Sequence, residues 1–246
     1  MRNIWTIAKK EYRIYFISPV AYVLTAIILL ALGIWFYTYI YYSTSNPGFV
    51  PEIQSILGFF PFVLLMILVT PAITMRSLSE EQRSGTLEVL LTAPVRDWEL
   101  VVGKWLGSYL FGLTIILITL IYPILLNQMV SPGIDQGKLI TLYLGIFLLI
   151  SAFTAIGIAS SSFFSSQVAT FFTCLGLLFV LWILGILSNV IGGTTGDILR
   201  YLSWPEHLFT TFYEGVIEIK DIVYFLSLTA LSLFTGTVVL ETRRWR

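Results

Sequence analysis

The sequence predicts an all-α polytopic membrane protein, and two observations carry this prediction. Of the 246 residues, 57% are hydrophobic and only 11% are charged, with a mean hydropathy of +0.88, a composition typical of proteins dissolved in lipid. Asp, Glu, Lys and Arg are also absent from long intervals, and charged side chains are costly at the bilayer centre. These intervals are 14–51, 53–75, 105–134, 139–196 and 222–240.

Six transmembrane helices fit these intervals. A spanning helix needs about 20 apolar residues, because each residue rises about 1.5 Å and the hydrocarbon is about 30 Å thick. Four intervals match one helix each, and the interval 139–196 divides at the polar stretch 160–167 into two helices joined by a tight hairpin. The predicted spans are 19–42, 54–76, 103–127, 139–161, 168–190 and 221–240.

The distribution of Lys and Arg predicts the orientation of the spans. Eleven of the 14 basic residues lie in the two termini and in segment 76–104, and the other three are Lys138, Arg200 and Lys220. Basic residues stay on the cytoplasmic side of a membrane, so we expect both termini and segment 76–104 in the cytoplasm. The net charge is zero and no basic stripe is present, which excludes a nucleic-acid partner.

Residues 1–18 predict an amphipathic helix that lies in the membrane interface. Its apolar residues fall roughly on one helical face, and its basic residues lie elsewhere. The apolar face contains Ile4, Trp5, Ile7, Ala8, Tyr12 and Tyr15, and the basic residues are Arg2, Lys9, Lys10 and Arg13. Two compatible roles remain open: an anchor that orients the first span, and a docking element for a cytoplasmic partner.

Segment 76–104 carries nine charges that nearly cancel, which favours a protein interface over an electrostatic lipid clamp. Thr86 is a plausible N-cap, and Leu87, Leu90 and Leu91 then form an apolar stripe on a short helix that ends before Pro94. A helix of about two turns is stable only when packed, which suits a groove on another protein. The alternative is a solvated loop with a membrane-facing stripe.

Residues 191–220 form the longest outer segment and contain too many apolar residues for a water-exposed loop. Their spacing predicts two short helices, split at Pro205, on or dipping into the outer leaflet. They cap a pathway or stabilise the last span, and the sequence leaves both roles open. His207, the only histidine, is expected to be a surface or interface residue and not a ligand or a base.

The spans contain small residues and prolines that predict close helix approaches and local kinks. The small residues include the Gly103-x-x-x-Gly107 pattern and a set in the fourth span, Ala152, Ala155, Gly157 and Ala159. Pro61, Pro71 and Pro123 should kink the second and third spans. Cys174, the single cysteine, is expected to be a small core residue.

Sequence motifs for catalysis are absent from this chain. The stretch Gly133–Leu139 imitates a Walker A loop but is one residue too short and lacks its Ser or Thr, so we interpret it as a turn. The chain has no H-E-x-x-H or G-x-S-x-G motif, and the apolar interiors of the predicted spans hold no ionisable side chain. We therefore expect no catalytic site, metal or cofactor in this chain, with energy supplied by another chain.

The run TMRSLSEEQRSGTLEVLLTAPVRDWELVVGK at 74–104 resembles the loop between the second and third spans of ABC-2 type permeases, the membrane subunits of ABC exporters. Within that superfamily it is most similar to the gliding-motility (GldF-like) and NosY-like permeases. The similarity extends over nearly the whole chain, through S-P-V-A-Y before the first span, Y-P-I in the third, the S-S-x-x-x-x-Q hairpin and the E-G-V-I-E-I-K-D segment before the last.

The resemblance implies one ABC-2, type V exporter-like domain over 1–246, with a connecting helix at 1–18, a cytoplasmic coupling loop at 77–102 and outer helices at 191–220. The connecting-helix residues would be Trp5, Lys9, Lys10, Tyr12 and Arg13. A coupling helix near 84–93 would rest in a groove of the ATPase. Its contact set would be Glu80, Glu81, Arg83, Gly85, Thr86, Leu87, Glu88, Leu90, Leu91 and Pro94.

The resemblance also implies the partners. We expect a cytoplasmic ABC ATPase dimer that holds ATP and Mg, a second permease copy or a related permease, membrane lipid, and an auxiliary envelope protein, in a prokaryotic cytoplasmic membrane. The leading hypothesis is a non-catalytic permease subunit that couples ATP binding and hydrolysis to export or extraction of a substrate. The alternative is a mechanical or assembly subunit that acts on an envelope protein without transporting a solute.

Overall fold

In a computed structural model, the described residues 2–46, 62–86, 95–131 and 133–244 are almost entirely helical and include no strand. In chain order the helices are α1 (Arg2–Ile17), α2 (Pro19–Ser45), α3 (Leu64–Thr74), α4 (Ser79–Arg83), α5 (Asp97–Thr119), α6 (Ile121–Met129), α7 (Gln136–Phe163), α8 (Gln167–Ile191), α9 (Gly193–Leu202), α10 (Trp204–His207), a π-helical turn Leu208–Phe212, and α11 (Ile219–Arg244).

Five helical segments are long and apolar enough to cross a membrane: Ala21–Ser45, Asp97–Met129, Gln136–Phe163, Gln167–Ile191 and Ile219–Arg243. They correspond to the first, third, fourth, fifth and sixth predicted spans and confirm a polytopic all-α membrane protein. The predicted second span, 54–76, lies partly outside the described residues, and its described part is α3. The count of six and the cytoplasmic placement of the termini stay predictions.

Helix α7 is the centre of the bundle, and most of its length is buried against α3, α5, α8 and α11. Its predicted small residues permit these approaches. A Cβ on Gly157 would collide with the side chain of Thr74 on α3, so glycine lets the two backbones come together. Trp105 on α5 donates from Nε1 to the carbonyl of Ser151 at 3.0 Å, which ties a third helix to the centre. Cys174 is fully buried, as expected for a core residue.

Two helix boundaries differ from the sequence prediction. The third span begins at Asp97 instead of residue 103. It breaks at Leu120, three residues before Pro123. Proline has no backbone N–H, so the carbonyl of Thr119 lacks its helical hydrogen-bond donor. The hairpin predicted over 160–167 is shorter, because Ser160–Ser162 are buried in the last turn of α7. Only 164–166 leave the helix, and the Ser166 hydroxyl accepts from the Ala169 N–H to cap α8.

The outer segment folds into the bundle. The helical break falls at Ser203, so the predicted split at Pro205 is wrong by two residues. Pro205 lies in the first turn of α10, where its missing N–H costs no hydrogen bond. Trp204 is fully buried, stacks edge-on against Phe153 and donates to the carbonyl of Leu178 at 3.2 Å. The segment thus anchors itself to α7 and α8 through a buried aromatic residue.

Candidate functional site around Lys104

Lys104 on α5 is buried, with 1% of the residue exposed, although the sequence places it at the edge of a loop. Its Nζ donates to Glu11 Oε1 at 2.9 Å, to Glu81 Oε1 at 2.8 Å and to the carbonyl of Ser77 at 2.8 Å. An ammonium group has three N–H donors, so all of them are used. These four residues, the Lys104 cluster, join α1, α4 and α5 at the end of the bundle predicted to be cytoplasmic.

The Lys104 cluster holds two carboxylates for one ammonium, so its charges do not balance. Burial raises the pKa of Glu81 above its usual value near 4.5, and the neighbouring Lys104 opposes this shift. Glu81 Oε2 is buried and has no hydrogen-bond partner among the residues that the structure describes. Removing one partner from a buried ion pair of this kind strongly destabilises the folded protein, because it leaves a buried charge without compensation.

The predicted connecting helix α1 packs directly against the first half of α5. The Gly103-x-x-x-Gly107 pattern makes this approach possible: a Cβ on Gly103 would lie 2.8 Å from Ile7 Cβ, and one on Gly107 would lie 2.6 Å from Glu11 Cβ. Such distances force a shift, so both positions require glycine. The glycine pair therefore accommodates α1. Helix α1, which was predicted to lie in the membrane interface, thus also packs against a span.

Two tyrosine hydroxyls continue the contact between α1 and the spans. Tyr15 Oη lies 2.9 Å from Ser108 Oγ and donates to the carbonyl of Ile73 at 3.2 Å. Tyr12 Oη lies 3.0 Å from Thr114 Oγ1. The predicted connecting helix is thus fixed to α5 and to the end of α3 by side-chain hydrogen bonds.

The other predicted connecting-helix residues lie away from this contact. Lys9, Lys10 and Arg13 are exposed, and Trp5 is 58% exposed. Trp5 is not part of the face that packs on α5, which is set by Ala8 and Glu11, both buried. Trp5 and the three cations remain accessible to lipid or to a partner.

Helix α4 connects the Lys104 cluster to the centre of the bundle. Gln82 Nε2 donates to the carbonyls of Ser162 at 2.9 Å and Ser161 at 3.3 Å, which are acceptors at the carboxyl end of α7. The last carbonyls of a helix have no partner within the helix, so Gln82 caps α7 from a different element. Glu81 and Gln82 thus attach one short helix to α5 and α7, and Lys104 extends this attachment to Glu11 on α1.

The predicted coupling segment begins directly after α4. Gly85 has φ +71°, a backbone conformation that favours glycine, and the hydroxyls of Ser84 and Thr86 lie 2.8 Å apart. Glu80, Arg83, Gly85 and Thr86 are exposed, whereas Glu81 is engaged by Lys104. Other members of the predicted contact set lie outside the described residues, namely Leu87, Glu88, Leu90, Leu91 and Pro94.

The described chain resumes at residue 95, and this flank also returns to α1. Glu99 Oε2 accepts from the Arg96 backbone N–H and from Asn3 Nδ2, both at 3.2 Å. The segment 87–94 is therefore bracketed by two attachments to α1, one through Glu81 and Lys104 and one through Glu99. Sequence alone did not predict a site role for Asn3, Glu11, Gln82 and Glu99. The sequence signal for Lys104 was a cation at the boundary of an apolar run.

A second buried polar site lies in the outer segment and corrects the expectation for His207. This histidine is 3% exposed, with Nδ1 2.6 Å from Asp221 Oδ1 and Nε2 2.8 Å from the carbonyl of Tyr201. A carbonyl only accepts, so Nε2 donates to Tyr201, while Nδ1 is bonded to Asp221. Within the described ranges, no three His, Cys, Asp or Glu side chains come together as metal ligands.

Residues 5–245 match the family model described as ABC-2 family transporter protein. This match covers nearly the whole chain and includes both flanks of segment 87–94. No curated protein matches the chain.

Proposed function

The chain belongs to the ABC-2 family of transporter proteins, and from this premise we propose that it is a permease subunit that couples ATP binding and hydrolysis in a separate ATPase to export of a substrate. Association with an ABC ATPase follows from the family. The ATP and Mg would be held by that partner, and this chain would contribute no catalytic residue. A second copy or a related permease would complete the membrane unit of a prokaryotic cytoplasmic membrane, and an auxiliary envelope protein would be a further partner.

The observation that supports this proposal most directly is the attachment of both flanks of segment 87–94 to the connecting helix. Glu81 reaches α1 through Lys104 and Glu11, and Glu99 reaches it through Asn3. A groove of the ATPase that displaces segment 87–94 would therefore move α1 with it. The same displacement would reach α5 through Lys104.

The path into the centre of the bundle would run through Gln82. Its two hydrogen bonds to the end of α7 attach α4 to the most buried helix. Interfaces of packed helices shift between discrete arrangements instead of deforming continuously. Closure of the ATPase dimer would thus bias the arrangement of the spans, and ATP hydrolysis would reset it. We extend the assignment to the GldF-like and NosY-like permeases on the sequence similarity alone.

The experiment that tests this function is recovery of the native complex in mild detergent, with Leu90→Asp compared against wild type. The proposal predicts that an ATPase subunit co-purifies with wild type and is lost from Leu90→Asp, because a carboxylate in an apolar groove has no partner. Ile217→Asp is the control, since Ile217 is half-exposed in the outer segment and outside any helix. Absence of a nucleotide-binding partner from wild type would contradict the proposal.

Coupling is separable from binding by measuring the ATPase rate of the purified complex. Lys104→Met should retain the ATPase subunit, because Lys104 is buried away from the surface, yet it should change the stimulation of ATP hydrolysis by the permease. Because Lys104→Met is also expected to be less stable, the comparison uses only the folded fraction of each preparation. Loss of the ATPase subunit from that fraction would assign Lys104 to docking and contradict the proposed coupling path.

A further inference from the structure

Helix α1 runs parallel to α5 in a constant register. Four pairs of facing residues are each 96 residues apart: Asn3 and Glu99, Ile7 and Gly103, Glu11 and Gly107, and Tyr15 and Phe111. A constant separation means that the two helices advance together and do not cross. Helix α1 therefore follows α5, which continues into a membrane-spanning segment.

This register gives the level of two cations relative to the membrane. Along the helix axes, Lys9 is level with Trp105 and Arg13 with Tyr109. The rings of Trp105 and Tyr109 stack with centroids 5.5 Å apart, and Trp105 opens the charge-free interval 105–134. Trp and Tyr at the start of a span are typical of the headgroup level. Lys9 and Arg13 thus lie at the headgroup level of the leaflet that contains the end of α5 beginning at Asp97.

Both cations are on the face of α1 that is free of α5. Ala8 and Glu11 are buried on the packed face, whereas Lys9 and Arg13 are exposed. Among the described residues, neither Lys9 nor Arg13 forms an ion pair or a hydrogen bond. Residues four apart lie on one row of a helix, so these like charges repel each other. An anion bound by both side chains would relieve that repulsion.

Helix α1 offers no carboxylate to neutralise this pair. Its single acidic residue is Glu11, which is buried and accepts from Lys104 at 2.9 Å. Lys10 is a different case, because it lies near enough to α4 to oppose the rise in the pKa of Glu81. The Lys104 cluster therefore withdraws the one negative charge of α1 and leaves Lys9 and Arg13 as a net positive surface.

Apolar side chains continue the same row toward the first span. Phe16 and Ile17 follow Arg13 at i+3 and i+4 and are 38% and 79% exposed. The first span begins two residues later at Pro19, so these side chains lie where hydrocarbon is available. Two cations followed by exposed apolar residues favour a lipid over a water-soluble protein. We name Lys9, Arg13, Phe16 and Ile17 the α1 row.

We propose that the α1 row binds an anionic phospholipid, with its phosphate between Lys9 and Arg13 and its acyl chains against Phe16 and Ile17. Arg13 would bind phosphate oxygens through its paired N–H donors, and Lys9 would bind as a point charge. Anionic headgroups attract cations held near the membrane surface, whereas the zwitterionic phosphatidylcholine headgroup has no net charge. The ATPase has no part in this binding, so its failure would leave the proposed function standing.

The test is native mass spectrometry of the full-length chain in mild detergent, titrated with phosphatidylglycerol or phosphatidylcholine. The first phosphatidylglycerol should bind at least about tenfold more tightly than the first phosphatidylcholine, because each cation near an anionic surface contributes roughly fivefold. Inorganic phosphate should not displace the lipid, since it lacks the acyl chains that contact Ile17. Displacement by inorganic phosphate would contradict a lipid site.

Variants at exposed positions locate the site without disturbing the packed face of α1. Lys9→Gln and Arg13→Gln should each reduce the preference for phosphatidylglycerol by about fivefold, whereas Lys9→Arg should keep it. Lys10→Gln is the matched control, because it removes the same charge from the same turn on the side that acts on Glu81. Equal losses from Lys9→Gln and Lys10→Gln would show general attraction to a basic helix and overturn the proposed row.

A second measurement reports position independently of affinity. Phosphatidylglycerol with a photoactivatable headgroup should crosslink to segment 9–17, and the variant Lys9→Gln, Arg13→Gln should lose this crosslink. Recovery of the ATPase subunit with the same variant tests the rival occupant, an acidic surface of the ATPase. Loss of the ATPase subunit with an unchanged lipid preference would assign the cations to that protein and overturn the proposal, as would equal affinity of wild type for the two lipids.

Discussion

The Lys104 cluster and the His207–Asp221 pair both bury ionisable groups, but they differ in how far apart the partners lie along the chain. Lys104 contacts partners that are 93 and 23 residues away along the chain, whereas His207 and Asp221 are 14 residues apart. The first site joins three helices that adjoin the predicted coupling segment. The second closes one outer segment onto the start of the last span.

This difference separates two uses of a buried ionic contact. The His207 ring is held from both nitrogens and stacks on Tyr224 with ring centroids 3.9 Å apart, so it stabilises one local arrangement. Each site buries one carboxylate oxygen without a partner among the described residues, Glu81 Oε2 and Asp221 Oδ2. The Lys104 cluster differs because it depends on the mutual position of three separate helices. We therefore expect substitutions at Lys104 to affect coupling and stability, and those at the outer pair to affect stability alone.

The largest expected effect is that of Lys104→Met. It leaves two buried carboxylates without their cation, and loss of one partner from a buried ion pair costs about 3–5 kcal/mol. Thermal and denaturant unfolding in detergent should report this loss of stability. The triple variant Lys104→Met, Glu11→Gln, Glu81→Gln removes all three charges and should recover part of the stability. No recovery in the triple variant would show that the loss is not electrostatic.

Asp221→Asn should have the next largest effect and should sharpen the contrast. An amide is a weaker partner than a carboxyl group for the 2.6 Å contact with His207 Nδ1, and hydrogen bonds to charged groups contribute about 1.5–3 kcal/mol. Unfolding should therefore occur at lower temperature, while recovery of the ATPase subunit and its rate of ATP hydrolysis stay at wild-type levels. A change in ATPase stimulation would contradict the assignment of this pair to stability alone.

Gly107→Ala should push α1 away from α5. The added Cβ would meet Glu11 Cβ at 2.6 Å, and overpacking costs about 1–3 kcal/mol before a helix-propensity gain of roughly 0.5–1 kcal/mol. We expect reduced stability and faster proteolysis between α1 and α2. Gly176→Ala on α8 is the matched control, because its added Cβ would meet no atom of another described element within 4 Å. Equal behaviour of the two variants would contradict close docking of α1.

The smallest expected effect is a change in the pH dependence of stability. Burial raises the pKa of Glu81 above 4.5, so the folded protein holds this proton more strongly than the unfolded chain does. This contribution is fully present below the unfolded pKa and is lost as pH rises through the folded pKa, which means that stability falls with rising pH in that window. Glu81→Gln should show a flatter profile than wild type, and an unchanged slope would contradict the shift.

Much of the fold follows from local features that the sequence displays. Charge-free apolar intervals predict helices close to α2, α7, α8 and α11, because a bilayer requires both length and hydrophobicity of a spanning segment. The outer helices were also predicted from their spacing. Boundaries were less accurate at α5 and in the 160–167 hairpin, where polar residues are helical and buried by neighbouring elements.

The sequence predicted the segments that form the candidate site, but it did not predict the contacts between their side chains. The sequence predicted segments 1–18 and 76–104 as functional, yet it treated Lys104 as one of many loop charges and left Glu11 unassigned. Nothing local distinguishes an exposed lysine from a buried one, since burial depends on which helices pack around it. His207 illustrates the same point, because its partner Asp221 follows an intervening turn.

The sequence by itself determined that this chain is an all-α membrane protein with an amphipathic first helix and a charged insert between spans, because these properties depend on composition and helical period. Only the tertiary structure decided that Gly103 and Gly107 accommodate α1 and that Lys104 binds Glu11 and Glu81. Such contacts depend on the relative positions of helices far apart in the chain, and those positions are set by side-chain packing across the whole bundle.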